Sequence, residues 1–334
     1  MTRFVLAPLA DFTDAPFRRL CAEGGASLAY TEMVSAAGLA HGSSPTRQML
    51  ETMPGEGRVA CQLFGADERD LAAAAALVQG ECRPSFCELN LNAGCPMTKV
   101  TRTGAGAKLI GDPAKIGRLL RAMAENTDLP VTLKTRLGPR PGEKAIFEIL
   151  GAAEQAGARG IVVHARYASQ MHSGPLDLDT LAEVVRRARV PVTGNGSVVD
   201  AESAGAMAAT GVAAVMVGRA AMKEPDVFRR LSAGLPPPAP DTARARSLCR
   251  RHLDYIVQFR SMLAERFPGD RMPSADTLAL LKMRMHLFRY FSGCPGAAAL
   301  RARIGSLRTR TELDELLCDE SPFWYNTEAN RGAQ

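Results

Sequence analysis

The sequence predicts an α/β fold, a (β/α)8 TIM barrel followed by a smaller all-α helical domain. Three observations carry this. Eight short apolar runs rich in Val, Ile, Leu and Thr recur along the first 220 residues, and stretches of helical character lie between most of them. The segment Leu235-Pro-Pro-Pro-Ala-Pro240 then breaks the pattern, and beyond it the periodicity is purely helical. Alternating strands and helices pair in parallel through crossover helices, and eight such units in about 230 residues favour a closed barrel over an open doubly wound sheet.

The runs predict strands at Phe4–Ala7, Leu28–Glu32, Arg58–Phe64, Phe86–Leu91, Val131–Thr135, Gly160–His164, Pro191–Gly194 and Ala213–Val217. Helices are predicted over Thr13–Gly24, Glu68–Gly80, Asp112–Asn126, Lys144–Gly157, Leu178–Arg189 and Asp200–Gly211, several of them ending in Gly or preceding a strand that begins with Pro. Consecutive prolines continue neither a helix nor a central strand, so residues 236–241 read as a stiff linker. The barrel then occupies 1–235, the helical domain 242–320 and a tail 321–334. Leu248, Tyr255, Phe259 and Met262 share one helical face, and Leu278, Leu281, Met285, Phe288 and Phe291 share another.

Of the 334 residues 46% are apolar and 23% charged, which excludes a disordered or fibrous chain. No apolar window is long enough for a membrane span and the N-terminus lacks a signal-peptide core, so a cytoplasmic protein is expected, with no membrane partner. Eight cysteines, none in a C-x-x-C pair, read as reduced thiols, and no metal site is expected. The net charge of +6 is unevenly spread. Between Arg244 and Arg310 stand fourteen Lys/Arg against four Asp/Glu, whereas residues 1–243 are about neutral. A basic appendage on a neutral body points to a polyanion partner; the alternative is a solvated helical face.

Barrel enzymes place their sites at the C-terminal ends of the strands. Here those ends carry Pro8, Glu32, Gln62, Asn90 with Asn92, Lys134 with Arg136, His164 with Arg166, Asn195, and Gly218 with Arg219. Thr193-Gly-Asn-Gly-Ser197 and Val217-Gly-Arg219 follow strands seven and eight, where barrels often bind phosphate through backbone N–H groups, and Arg219 adds a charge-assisted contact. Lys134 lies inside an apolar strand, a costly place for an ammonium unless it faces an anion. Cys95 sits on a strand-end loop, where a catalytic thiol must be accessible, and the loop runs on to Gly104-Ala-Gly106, whose glycines would let it move.

These residues resemble the tRNA-dihydrouridine synthases, flavoenzymes that reduce uridine in tRNA, from Leu6 to about Leu317. Leu6-Ala-Pro-Leu-Ala-Asp-Phe-Thr-Asp14 looks like the family's opening motif. Asn92-Ala-Gly-Cys-Pro-Met-Thr-Lys-Val100 with Gly104-Ala-Gly-Ala107 resembles its catalytic segment. Val131-Thr-Leu-Lys-Thr-Arg-Leu-Gly138, Val163-His-Ala-Arg166, Gly194-Asn-Gly196 and Val217-Gly-Arg219 complete the series in order. The resemblance implies FMN as cofactor and NADPH as its reductant, hydride passing from flavin N5 to uracil C6 and a proton from Cys95 to C5. It implies that Pro8, Leu9 and Ala10 line the flavin, that Gln62, Lys134 and His164 contact it, and that Asn195, Gly196, Ser197, Gly218 and Arg219 hold its phosphate end. Asn90, Asn92, Lys99, Arg136 and Arg166 would face the substrate. The basic C-terminal domain would grip tRNA, with Lys282, His286 and Arg289 forming a stripe beside the apolar seam.

Three residues depart from the family pattern: Asn90, where Asp or Glu is usual, Tyr167 in place of a threonine, and His172 in place of a tyrosine. None removes a catalytic group. Two rival functions remain beside this one, a flavin barrel acting on a free pyrimidine or other small molecule, and a non-catalytic tRNA-binding protein. The first leaves the basic domain without a purpose, and the second leaves the thiol and lysine unexplained. No obligate protein partner is evident.

Overall fold

A computed structural model describes residues 2–318. Eight parallel strands close into a barrel in sequence order: β1 (Arg3–Leu6), β2 (Ala29–Ser35), β3 (Val59–Phe64), β4 (Glu88–Ala93), β5 (Val131–Arg136), β6 (Ile161–His164), β7 (Val192–Asn195) and β8 (Ala214–Val217). The ring closes through β1 and β8, with Leu6 opposite Val217. All eight predicted strands are present, so the predicted (β/α)8 TIM barrel is the observed one.

Strand alternation divides the side chains between two cores. On β4, Leu89, Leu91 and Ala93 turn outward and are buried beneath the surrounding helices. The helix Pro113–Ala124 meets them with Ile116, Leu119, Leu120 and Met123; Pro113 fits its first turn and the Asp112 side chain caps it by accepting from Lys115 N–H. Each such leucine contributes about 1.5 to 3 kcal/mol by leaving water. Inside the barrel, Val5, Ala7, Tyr30, Ala60, Val162, Ala214 and Met216 form a smaller apolar cluster. The inward residues of β4, Glu88, Asn90 and Asn92, are polar instead, so the barrel interior is apolar on one side and hydrogen-bonded on the other.

Some boundaries differ from expectation. β2 runs past Glu32 to Ser35 after a register shift between Tyr30 and Met33, and two short helices, Ala36–Ala40 and Ser44–Gln48, follow it. The alanine-rich helix stops at Leu77 and passes into a π-turn over Val78–Cys82 that takes in Gly80.

The chain forms two compact units. One runs through Ala221 and takes in Asp226–Pro236; the other holds Met222–Pro225 and the chain from Pro237 onward. The second unit comprises the helices Thr242–Arg266, Ala275–Tyr290, Ala297–Ser306 and Arg310–Cys318. The proposed tail 321–334, and residues 319–320 of the proposed helical domain, lie outside the described residues. Asp241 and Ser274 cap the two long helices. Their packing corrects the expected faces. Leu281 and Phe288 are exposed, while Ala279, Leu280, Met283, Leu287 and Tyr290 enter the core of this unit. On the first long helix the core takes Ala245, Cys249, Leu253 and Ile256, with Leu248 packed against it from a half-buried position and Phe259 and Met262 also only half-buried. Both sides of the helix 275–290 carry apolar residues at helical spacing, and the side with the small Ala279 makes the close contact.

One buried ion pair ties the helix Ala15–Glu23 to the segment 49–57. Arg18 Nε lies 2.5 Å from Glu56 Oε2, both side chains being 2% exposed. Its other nitrogens donate to the carbonyls of Thr13 and Glu51. Removing one partner leaves a buried charge uncompensated. Glu56→Ala is therefore expected to lower unfolding free energy by about 3 to 5 kcal/mol in urea titration, whereas breaking the exposed Arg118–Glu68 pair costs under about 1 kcal/mol. Equal losses in the two variants would refute the assignment.

Candidate active site

The C-terminal ends of β3, β4 and β5 hold a neutral hydrogen-bonded column. Gln62 Nε2 donates to Asn90 Oδ1 at 2.7 Å, and Asn92 Nδ2 donates to Gln62 Oε1 at 2.8 Å. Asn92 Oδ1 accepts from the backbone N–H groups of Gly94 and Cys95 at 3.1 and 3.0 Å, which pins the first turn of the Cys95 loop. Gly94 passes so close to the β5 backbone that a Cβ would lie 3.3 Å from Thr135 Cα. The Cys95 carbonyl accepts from Ala107 N–H at 2.8 Å. Gly106, at φ +62°, lies where a Cβ would come within 2.6 Å of that carbonyl oxygen. Gly106 therefore also serves close packing against the Cys95 loop. Cys95 itself is half-buried, and Lys99 stands exposed on the short helix Thr98–Thr101.

Beyond this column the strand ends are basic. Lys134 Nζ donates to Asn195 Oδ1 at 3.1 Å, and burial, with the Arg136 guanidinium close by, pulls its ammonium down to about 7. Arg136 donates to the carbonyls of Gly94 at 2.8 Å and Met171 at 2.7 Å. Burial brings it down to about 10, with the Cys95 side chain near enough to oppose that shift. His164 and Arg166 meet at 3.2 Å, and Arg166 also donates to Gly174 O and to Ser197 Oγ, each at 2.8 Å. Burial, then Lys134, Arg136, Arg166 and His172, hold the His164 imidazole far below its ordinary value, hence neutral. His172, whose ring stacks 6.4 Å from His164, is lowered by burial and by the same cations with Arg219. Arg219 is exposed and donates to the His172 carbonyl at 3.3 Å. Among the described residues, none of Lys134, Arg136, Arg166 and Arg219 pairs with a carboxylate. The place is built for an anion.

The segments after β7 and β8 divide their roles more finely than their sequence implies. Gly194 is a packing glycine: a Cβ there would sit 2.6 Å from Met207 Sδ on the following helix. Asn195 turns into the barrel, donating to Met216 O at 3.0 Å as well as accepting from Lys134. Gly196 has φ +139°, and Ser197 is a non-glycine residue at φ +47°. At Gly218 a Cβ would make only ordinary contacts, with Ala7 at 3.5 Å and Leu9 at 3.6 Å, so the protein itself does not require glycine there. Pro8, Leu9 and Ala10 precede Asp11, another non-glycine residue at positive φ, whose N–H is held by Glu32 Oε2 at 2.5 Å.

The structure thus gathers Gln62, Asn90, Asn92, Cys95, Lys134, Arg136, His164, Arg166 and Asn195 at one end of the barrel. His286 is a correction. It is fully buried in the helical unit, its ring 4.3 Å from that of His252, whose Nδ1 lies 3.0 Å from the Tyr290 hydroxyl. A stripe at spacings of 4 and 3 ignored that the core takes this side of the helix. Lys282 is half-buried and Arg289 exposed. The sequence reading also missed Glu88, Thr132 and Tyr30, which extend the column of β4 inward. Strict alternation of Glu88, Asn90 and Asn92 was the available signal.

The sequence model of the dihydrouridine synthase family matches residues 5–322. A "probable tRNA-dihydrouridine synthase" of Mycobacterium tuberculosis (strain CDC 1551 / Oshkosh) is 34% identical over 329 residues, covering 94% of this chain and 80% of that protein. The "tRNA-dihydrouridine synthase B" of Pseudomonas putida is 32% identical over 310 residues, covering 91% and 86%. Among solved structures, morphinone reductase superimposes with a TM-score of 0.52 at 15% identity, over 72% of this chain and 87% of that one, a likeness of fold. Matched along almost its whole described length, with the motif asparagine, cysteine, lysine and histidine brought together at one end of the barrel, the chain belongs to the dihydrouridine synthase family.

Proposed function

We propose that this protein reduces uridine in tRNA to 5,6-dihydrouridine, using FMN as cofactor and NADPH as reductant. The observation that carries the reading is the group of cations at the ends of β5 to β8 that lack a carboxylate partner and stand beside a half-buried thiol. FMN fits these residues. Lys134, held at the inner end by Asn195 and lacking a countercharge, suits the electron-rich ring, and Pro8, Leu9 and Ala10 supply an adjoining wall. Gly196, Ser197, Gly218, Arg166 and Arg219 suit the phosphate, because Gly218 leaves room that the fold does not use. Asn195 is assigned to Lys134 rather than to phosphate.

When bound, FMN supplies hydride to C6 of an extruded uracil. Cys95 donates the proton to C5, with Asn92 fixing its backbone N–H and thereby the direction of the thiol. Arg136, anchored on Gly94 O, holds the same loop from the other side and presents positive charge toward the uracil and its phosphates. Asn90 acts on Gln62 rather than on substrate. Lys99 on the barrel and the basic surface of the helical unit, Lys282 and Arg289 included, are assigned to the tRNA backbone. A cytoplasmic location accords with that substrate.

Three outcomes test this reading. Arg219→Ala should weaken FMN retention about ten- to hundredfold, the loss of a charge-assisted contact, as measured by flavin released on dialysis. Unchanged retention would remove Arg219 from the phosphate end. Cys95→Ala should keep its flavin and oxidise NADPH at near-normal rates while failing to turn over tRNA. Wild-type dihydrouridine formation in that variant would remove Cys95 from proton donation. Replacing Lys282 and Arg289 together with Ala should lower the slope of log K for tRNA against log salt by about 0.7 to 0.9 per lost phosphate contact, with flavin content intact. Superimposable titrations would place the tRNA contacts elsewhere.

A further inference from the structure

A chain of hydrogen bonds continues from the active-site column to the N-terminal end of β4. Asn90 Nδ2 donates to Thr132 Oγ1 at 2.7 Å, and Thr132 Oγ1 donates to Glu88 Oε1 at 2.6 Å. Tyr30 also donates its hydroxyl to Glu88 Oε1, at 2.9 Å. Tyr30, Gln62, Asn90, Asn92 and Thr132 are all buried. Burial pushes the Glu88 carboxyl up, against the hydrogen bonds from Thr132 and Tyr30 and the charge of Arg58. Cys87 is the other titratable group beside it.

The two ends of this chain cannot be reversed. Glu88 Oε1 accepts from both Thr132 and Tyr30, and the backbone N–H groups of Gly94 and Cys95 only donate. Thr132 has one hydroxyl proton, and Glu88 Oε1 at 2.6 Å takes it in preference to the Leu89 carbonyl at 3.4 Å. The Thr132 oxygen must then accept, so the residue at 90 must present a donor to it and an acceptor to Gln62. An amide does both. Gln62 in turn must offer its oxygen to Asn92, whose own oxygen is left facing the Cys95 loop. Three amides, each able to flip in isolation, thereby have one orientation. An aspartate at 90 would break the sequence of donors: it would face the Thr132 oxygen without a proton to offer, and two buried carboxylates would compete for the Thr132 hydroxyl.

We propose that Glu88, Thr132 and Asn90 are positioning residues that act through Gln62 and Asn92 to hold the Cys95 loop in one orientation, and that β4 tolerates a carboxylate at 88 or at 90 but not at both. This deepens the assignment of Cys95 as proton donor and rests on it for its functional meaning; the coupling between positions 88 and 90 does not.

The test uses full-length protein as purified, in four forms: wild type, Asn90→Asp, Glu88→Gln and the double variant. Iodoacetamide labelling is followed by peptide mass spectrometry at Cys95, with the exposed Cys318 as internal reference. Asn90→Asp should speed labelling of Cys95 about fivefold or more, the consequence of one or two lost buried hydrogen bonds, with Cys318 unchanged. It should also slow dihydrouridine formation more than NADPH oxidation. Glu88→Gln alone should speed labelling less than Asn90→Asp does, because its amide oxygen can still accept from Thr132 and Tyr30, and the double variant should return to within about twofold of wild type, because a single carboxylate is restored. Rescue of solubility by Glu88→Gln, should Asn90→Asp alone fail to fold, supports the same coupling. Wild-type labelling in Asn90→Asp would overturn the proposal, and so would a double variant as fast or as insoluble as Asn90→Asp. Protein without flavin or activity would defeat the functional reading, yet leave the labelling pattern to decide this one.

Discussion

Positive charge without a countercharge is the constraint on which the rest of the site depends. Lys134 and Arg136 on β5, Arg166 after β6 and Arg219 after β8 gather at one end of the barrel, and burial, then the neighbouring cations, makes Lys134, Arg136 and Arg166 harder to protonate. What holds them in place is neutral. Backbone carbonyls of Gly94, Met171, His172 and Gly174 and the side chains of Asn195 and Ser197 take their hydrogen bonds. Dipoles of this kind orient cations without cancelling them, so the field at the end of the barrel stays positive. A closed barrel suits this, since eight strands fixed in register resist the spreading that like charges favour.

The thiol is held by the opposite strategy. On β3, β4 and β5 the interior carries side-chain amides and hydroxyls, and the one carboxylate of the column, Glu88, lies at the far end of β4 from Cys95. The carboxylate of the column is thus kept away from Cys95, while orientation is transmitted by neutral groups. An arginine, Arg136, joins the halves by donating to the carbonyl of Gly94, beside Cys95.

Much of this was legible in the sequence because its signals are local. Strand ends are marked by polar residues that close apolar runs, as at Lys134 and Arg136, and Cys95 is marked by its loop. Residues whose role depends on partners distant in sequence were not legible. Asn195 reads as a phosphate-end residue because it stands between two glycines, yet its side chain is claimed by Lys134, 61 positions away. Gly106 reads as a residue that lets the loop move, and only the nearness of the Cys95 carbonyl shows its packing role besides. In the helical unit the helix 275–290 is apolar on both sides, so periodicity could not choose the buried one. His286 was therefore taken for surface when it lies against His252.

The cationic end of the barrel and the Cys95 thiol are proposed to serve reduction of uridine within tRNA. Nucleoside mass spectrometry of unmodified tRNA transcripts, incubated with the purified protein and NADPH, addresses it most directly. The account predicts nucleosides heavier than uridine by two hydrogens, formed in tRNA and absent when free uridine replaces it. Flavin-loaded protein that oxidises NADPH yet leaves every uridine of the transcripts unchanged would contradict it, as would reduction of free uridine at the rate seen in tRNA.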